Sequence, residues 1–403
     1  MTRVLVRRAL GVLLAAMTVL SVTGAIGGSN SGASTPTAPA GVSPVSPSPL
    51  RPVPLLAYFY QWFDPSSWGR AKVDYPQLGR YSSDNTSVMR QQIEWAKQAG
   101  IDGFIVSWKS SDVNNRRLRA LMDVAAAEKF KLAMIYQGLD FSRKPLAATR
   151  VAADFKLFEQ QFAPNPVFVR MGGKPLTIWS GTWAYSAADV HAVTAPVRNS
   201  MLVLSTEKSV QGYQRIAADT DGDAYYWSSV DPSSNSNYAT KLDQMAQAVH
   251  ADHKYWLAPF APGFDARLVG GEQSVDRRNG DTLRTEYAAA LASSPDALGL
   301  ISWNEFSENT YVEPSEKYGT EFLQVLGNLT RAAAPITAAS ADSSQAAPRS
   351  DRDSLSPEVL GAFAFLLLVL ISLPLFVRSR RRRRPGPPPT EQSNSRHVAA
   401  NVK

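Results

Sequence analysis

The sequence predicts an α/β chain, a (β/α)8 TIM-type barrel set between an N-terminal signal peptide and a C-terminal transmembrane helix. Three observations predict it. Short apolar runs alternate with longer amphipathic ones through one aromatic-rich stretch, residues 55–331, and such alternation builds a parallel sheet covered by helices. Eight strand-then-helix units fit into about 280 residues, the number and length of a closed barrel. An open doubly wound sheet, the alternative, usually carries a Gly-rich phosphate turn after its first strand. This chain has Gln61-Trp62-Phe63-Asp64 there.

The expected strands are 55–60, 103–108, 132–136, 175–179, 201–204, 224–227, 255–259 and 299–303, each a short apolar run. Amphipathic patterns predict helices over 87–99, 116–128, 148–161, 187–197, 210–217, 241–250, 282–291 and 319–332. No repeat of fixed sequence is visible.

The flanks read differently. Arg3, Arg7 and Arg8 precede an uncharged run, 9–22, that ends in the small residues Thr23-Gly24-Ala25. Residues 1–26 therefore read as a secretory signal, with an uncleaved anchor helix as the alternative. Residues 27–54 and 332–357, rich in Ser, Thr, Ala and Pro, read as a linker and a stalk with little to bury. The stretch 358–377 is almost wholly apolar and about long enough to cross a ~30 Å hydrocarbon core. Arg378 and Arg380–Arg384 follow at once, and arginine accumulates on the cytoplasmic side of a span. The expectation is a single-pass protein of the cell membrane, its large domain outside and the tail 378–403 inside.

Charge supports that division. The chain is +7 overall, with +3 in residues 1–8 and +7 in residues 378–403, hence −3 between them. The central domain thus has no positive field to attract phosphates, which argues against nucleic acid as a partner. The chain has no cysteine, so disulfides, thiolate nucleophiles and cysteine-held metals are excluded. His191, His250, His253 and His397 form no ligand-spaced set, and neither a metal nor a cofactor is expected.

In a barrel of this kind, reactive groups gather at the C-terminal ends of the strands. Those positions hold Tyr58, Tyr60, Trp62, Trp108, Gln137, Tyr226, Trp227, Asp265, Trp303, Asn304 and Glu313, with Glu305 and Glu308 in the last of them. Aromatic faces stack on the C–H faces of sugar rings, and amides and carboxylates bind hydroxyls. The mixture suits a neutral polyhydroxylated ligand; any one Tyr or Trp fits the core better, and only their concentration on one rim shifts the balance. Three glutamates within nine residues, 305, 308 and 313, follow an apolar strand. Glycoside hydrolysis needs two carboxyl groups in different protonation states, and crowding and burial separate their pKa values. On spacing alone, solvated loop acids are slightly favoured.

The runs Tyr58-Phe59-Tyr60-Gln61-Trp62, Leu78-Gly79-Arg80-Tyr81-Ser82-Ser83-Asp84 and 99–108 resemble glycoside hydrolase family 99. So does the ending Ser302-Trp303-Asn304-Glu305-Phe306, with Glu308, Glu313-Pro314 and Tyr318-Gly319. That family contains endo-α-mannosidases, and similar endings occur in the related family 71 endo-1,3-α-glucanases. The resemblance implies a barrel and products that retain their anomeric configuration. It implies that Glu305 takes the proton from the sugar's 2-hydroxyl, which then attacks the anomeric carbon. Glu308 would be the acid/base on the leaving oxygen, and Glu313 a support. Ile135-Tyr136-Gln137-Gly138-Leu139 departs from the mannosidase pattern, with Gln137 in place of a substrate-binding glutamate. The expectation is a surface-anchored hydrolase of mannan- or glucan-type α-linked glycans. A non-catalytic glycan-binding protein and a transferase of surface polysaccharide remain as alternatives.

Overall fold

The computed structural model describes residues 53–332, apart from Ala71. The segments read as signal, span and tail, all but the first residue of the stalk, and all but the last two residues of the linker lie outside them. Among the described residues no helix is long and apolar enough to cross a membrane.

Eight strands form the ring: β1 (Leu55–Tyr60), β2 (Gly103–Trp108), β3 (Lys131–Gln137), β4 (Lys174–Ser180), β5 (Leu202–Leu204), β6 (Gly222–Asp223), β7 (Tyr255–Phe260) and β8 (Ala297–Leu300). All neighbours pair in parallel. The ring closes between its two shortest strands by one bridge, Ser205 to Asp223. There the Ser205 N–H donates to Gly222 O at 3.0 Å, and the Ala224 N–H donates to Ser205 O at 2.8 Å. Gly222 has φ +145°, and a Cβ there would lie 1.9 Å from Tyr255 O. Only glycine lets β6 approach β7 so closely.

The helices alternate with the strands: α1 (Thr86–Gln98), α2 (Asp112–Ala127), α3 (Ala148–Gln161), α4 (Ala187–Thr194), α5 (Val210–Ile216), α6 (Tyr238–Ala251), α7 (Asp281–Ala292) and α8 (Glu321–Ala332). α2 begins four residues before the expected start, because the Ser111 side chain accepts from Asn114 N and caps a polar first turn. α4 stops at Thr194 instead of 197, since Pro196 cannot continue it. α8 starts at Glu321, after Gly319 in a left-handed conformation.

Two strands are misplaced in the sequence reading. The run 224–227 is not a strand, and β6 lies just before it. Its aromatics instead stack in series, Tyr225 on Trp227 at 5.2 Å and Trp227 on Tyr238 of α6 at 4.5 Å. β8 spans Ala297–Leu300, not 299–303.

Side chains alternate across each strand, and two cores result. Leu56, Tyr58 and Tyr60 of β1 share one cluster with Ile105, Ile135, Ile178, Leu204 and Leu257, which fills the barrel. Leu55, Ala57 and Phe59 share the other with Phe104, Val106, Leu132 and Met134 and the apolar faces of the helices.

Candidate active site

The C-terminal ends of β1, β2, β3 and β8 open onto one cleft of about 500 Å3. Trp62, Ser107, Gln137, Glu305, Ser307 and Glu308 line it from the barrel side, and Phe141, Arg143 and Val269 come from loops above.

The loop after β8 carries both glutamates and is held at several points. The Asn304 side chain is fully used: its Oδ1 accepts from Tyr60 N at 2.8 Å, and its Nδ2 donates to Tyr60 O at 3.0 Å. It thereby pairs with the end of β1 as a strand would. Glu305 N donates to Ser302 Oγ at 2.8 Å, and Ser307 N donates to Glu305 Oε1 at 2.9 Å. Asp265 N donates to Glu308 O at 2.8 Å, which braces the second glutamate from a neighbouring loop.

Arg277 holds the far side of the loop. Its Nη2 donates to Asn309 O and Tyr311 O, both at 2.8 Å. Its charge rests against the rings of Tyr311, Tyr318 and Phe322, 4.6, 4.8 and 4.4 Å from their centroids. Beneath the loop, Glu313 is buried and accepts from Tyr81 Oη at 2.9 Å and Gln92 Nε2 at 2.8 Å.

Electrostatics sets this loop apart from solvated acids. Burial pushes Glu305 up to about 8, reinforced by the charge of Glu308 and opposed by the Ser307 N–H and Lys72. Glu308 is raised as well, by burial, with Arg143 acting against it. An Arg143 Nη2 lies 3.9 Å from Glu308 Oε1. Losing a proton from one carboxyl makes losing it from the other harder, so around neutrality the pair can share a single proton. The phenols of Tyr60 and Tyr226, in contact at 2.7 Å, sit beside the pair and are raised above the ordinary range, first by burial. Tyr60 also stacks on Trp62 at 4.4 Å, and Trp62 is 44% exposed, a half-open aromatic face at the mouth of the cleft.

The model of the family described as "Glycosyl hydrolase family 71" matches residues 77–325. The chain belongs to that family. A glycoprotein endo-alpha-1,2-mannosidase-like protein of Homo sapiens is 21% identical over 266 residues, covering 59% of this chain and 56% of that protein. Its Mus musculus counterpart is 22% identical over 267 residues, covering 59% and 57%. The chain thus spans a little over half the length of these curated relatives. A solved GH99 endo-alpha-mannosidase from Bacteroides thetaiotaomicron superposes with a TM-score of 0.60 at 21% identity, over 69% of this chain and 98% of that one. This likeness shows the shared barrel fold.

Within the family 71 domain, Tyr60, Trp62, Gln137, Tyr226, Glu305 and Glu308 come together at or beside the cleft. Gln137 Nε2 donates to Ser107 Oγ at 3.2 Å. Other expected residues sit elsewhere. Trp108 borders the cleft, but its side chain is 1% exposed, packs on Phe158 and Phe162, and donates from Nε1 to Asn115 Oδ1 at 3.0 Å. Trp227 and Trp303 lie in the same helix-facing core. Tyr58 lies inside the barrel, edge-on to Tyr226 at 5.0 Å. The Asp265 carboxylate pairs with Arg267, Asn304 spends its amide on backbone, and Glu313 lies under the loop. The sequence reading missed Phe141, Arg143 and Val269 of the lining, and Lys72, whose charge acts on Glu305. No local pattern marks them, because they lie on loops.

Proposed function

We propose that this domain hydrolyses internal linkages of an α-linked glycan of mannan or glucan type, with Glu308 as acid/base and Glu305 as base. One observation carries the reading: two glutamates three residues apart lie on the floor of an aromatic-edged cleft, both pushed up by burial. A lectin has no use for such a pair.

The step balances as follows. Glu308 gives its proton to the glycosidic oxygen, and the bond from that oxygen to the anomeric carbon breaks. Glu305 takes the proton of the 2-hydroxyl, and that oxygen bonds to the anomeric carbon. Water, deprotonated by Glu308, then opens the strained ring, and Glu305 returns its proton to the 2-oxygen. Two displacements give net retention. Before a glycan binds, the deeper burial of Glu305 favours the proton there. A bound 2-hydroxyl donating to Glu305, with a glycosidic oxygen accepting from Glu308, draws it to the acid. The route needs the 2-hydroxyl trans to the leaving oxygen, as in manno-configured units. With gluco-configured units it is cis, and Glu305 would instead activate water and invert.

The test uses the domain with α-mannan and α-1,3-glucan, following the first-formed reducing ends by NMR. Oligosaccharides released as the α-anomer support retention. Release of the β-anomer overturns the 2-hydroxyl route, and no release from either polymer overturns the hydrolase reading.

The cellular setting is part of the proposal. The apolar stretch 358–377, followed by Arg378 and Arg380–Arg384, supports a single-pass anchor with the domain outside and the tail inside. Protease added to intact cells should remove the domain and spare the tail. An accessible tail with a protected domain would reverse the orientation.

A further inference from the structure

We propose that the arm between β3 and α3 carries a distal sugar-binding subsite centred on Phe141. It would take a unit of the same α-glycan chain beyond the one clasped by the glutamates. This rests on the glycosidase reading above.

The arm is built, not loose. Leu139 bridges Pro145 in antiparallel fashion, and Leu146 N donates to Gly138 O at 2.9 Å. At the tip, Asp140 N donates to Lys144 O at 2.9 Å, and Arg143 N donates to Asp140 O at 3.0 Å. The Asp140 carboxylate turns inward and accepts from Ser142 N at 2.8 Å and Lys144 N at 2.9 Å. The polar bonds of the tip are made within the arm, and Phe141 stands fully exposed at 105%.

Leaving a whole phenyl in water forfeits the gain of burying it, so its position calls for a partner. Among the described residues, six large hydrophobics are exposed, and three of them, Trp62, Phe141 and Val269, line the one cleft. Exposed apolar groups gathered in this way mark a binding surface. Its occupant is set by continuity with the glutamates. Arg143, two residues from Phe141, reaches Glu308, so the arm runs outward from the reacting carboxyl. Two residues span up to ~7 Å, which carries Phe141 to a neighbouring unit of the chain. The cations suit the same ligand. Lys109 Nζ lies 5.7 Å from the Phe141 ring, so a sugar stacked on the ring could direct its hydroxyls to Lys109 and Arg143. A tip fixed before binding loses little freedom when the chain docks.

The experiment compares the parent, Phe141→Ala and Phe141→Trp on a graded series of α-mannan and α-1,3-glucan oligosaccharides, disaccharide to octasaccharide. The expected result is a KM ratio between Phe141→Ala and parent that grows with chain length to about tenfold, with Phe141→Trp close to parent. That is ~1.4 kcal/mol, within the range of a single aromatic contact. A ratio independent of length overturns the subsite. If the parent cleaves nothing in the series, the hydrolase reading fails separately. The subsite is then read by retardation in gels containing α-mannan or α-1,3-glucan. Retardation of the parent that is lost in Phe141→Ala supports it, and equal or absent retardation overturns it.

Discussion

Glu313 shows how one residue can serve a site without lining it. Its carboxyl takes the Tyr81 hydroxyl and the Gln92 amide, and Tyr81 Oη in turn accepts from Asn304 Nδ2 at 3.3 Å. Burial nevertheless wins over these bonds and pushes it up to about 8. The folded chain therefore keeps a proton that the unfolded chain releases near pH ~4.3. The stability from this site is fully present below the unfolded value and is lost as pH rises through the folded value. Glu313→Gln keeps the neutral form. The parent should lose melting temperature between pH 5 and pH 8, and the variant should lose less. Glu305 is raised to about 8 as well, so the slope should flatten without vanishing. An unchanged slope would contradict the burial account. Placement at the cleft was legible in the sequence where residues lay in one run, as with Glu305 and Glu308. It was less legible for aromatics, since facing is decided by strand alternation. Ser107 and Gln137 point to the cleft, while Trp108 and Tyr136 beside them point to the helices.

Among the elements, the loop after β8 does the positioning, and Arg277 is its outer clamp. A lysine there would keep a charge but lose the planar guanidinium that lies against the three rings and carries Nη2 to both Asn309 O and Tyr311 O. A misplacement of ~1 Å can cost ~100-fold in rate. Arg277→Lys should therefore lower kcat about 10–100-fold while KM on the same substrate stays within about twofold, since Trp62 and Gln137 are untouched. Lower melting temperature with an unchanged kcat would reduce Arg277 to packing. The clamp could not be foreseen: Arg277 stands 28 residues before Glu305 in sequence, on a loop with no helical or strand period. Helices and buried strands were readable because their periods repeat over many residues. β6 was not, because only two residues pair and the aromatic run after it resembles a strand.

At the scale of the whole molecule, parallel strands in a closed ring bring the ends of β1, β2, β3 and β8 to one face, and chemistry distant in sequence meets there. Tyr60 and Asn304 are 244 residues apart and share two hydrogen bonds. The alternation of runs foretold the ring. The long loops above the ring escaped prediction, since their course depends on contacts formed only once the ring exists.

The central claim is that Glu305 and Glu308 divide base and acid between them. The direct measurement is the leaving-group dependence of Glu305→Gln and Glu308→Gln, using an identified oligosaccharide substrate and its activated aryl glycoside. General acid–base catalysis is typically worth ~10²–10⁴-fold, so both variants should lose activity on that scale against the natural linkage while binding persists. The aryl glycoside leaves with little protonation. It should therefore partly restore the first step in Glu308→Gln and leave Glu305→Gln inactive. Rescue of Glu305→Gln instead would exchange the two roles. Activity of both variants within about threefold of the parent, far below that range, would contradict the assignment and move the chemistry elsewhere on the rim.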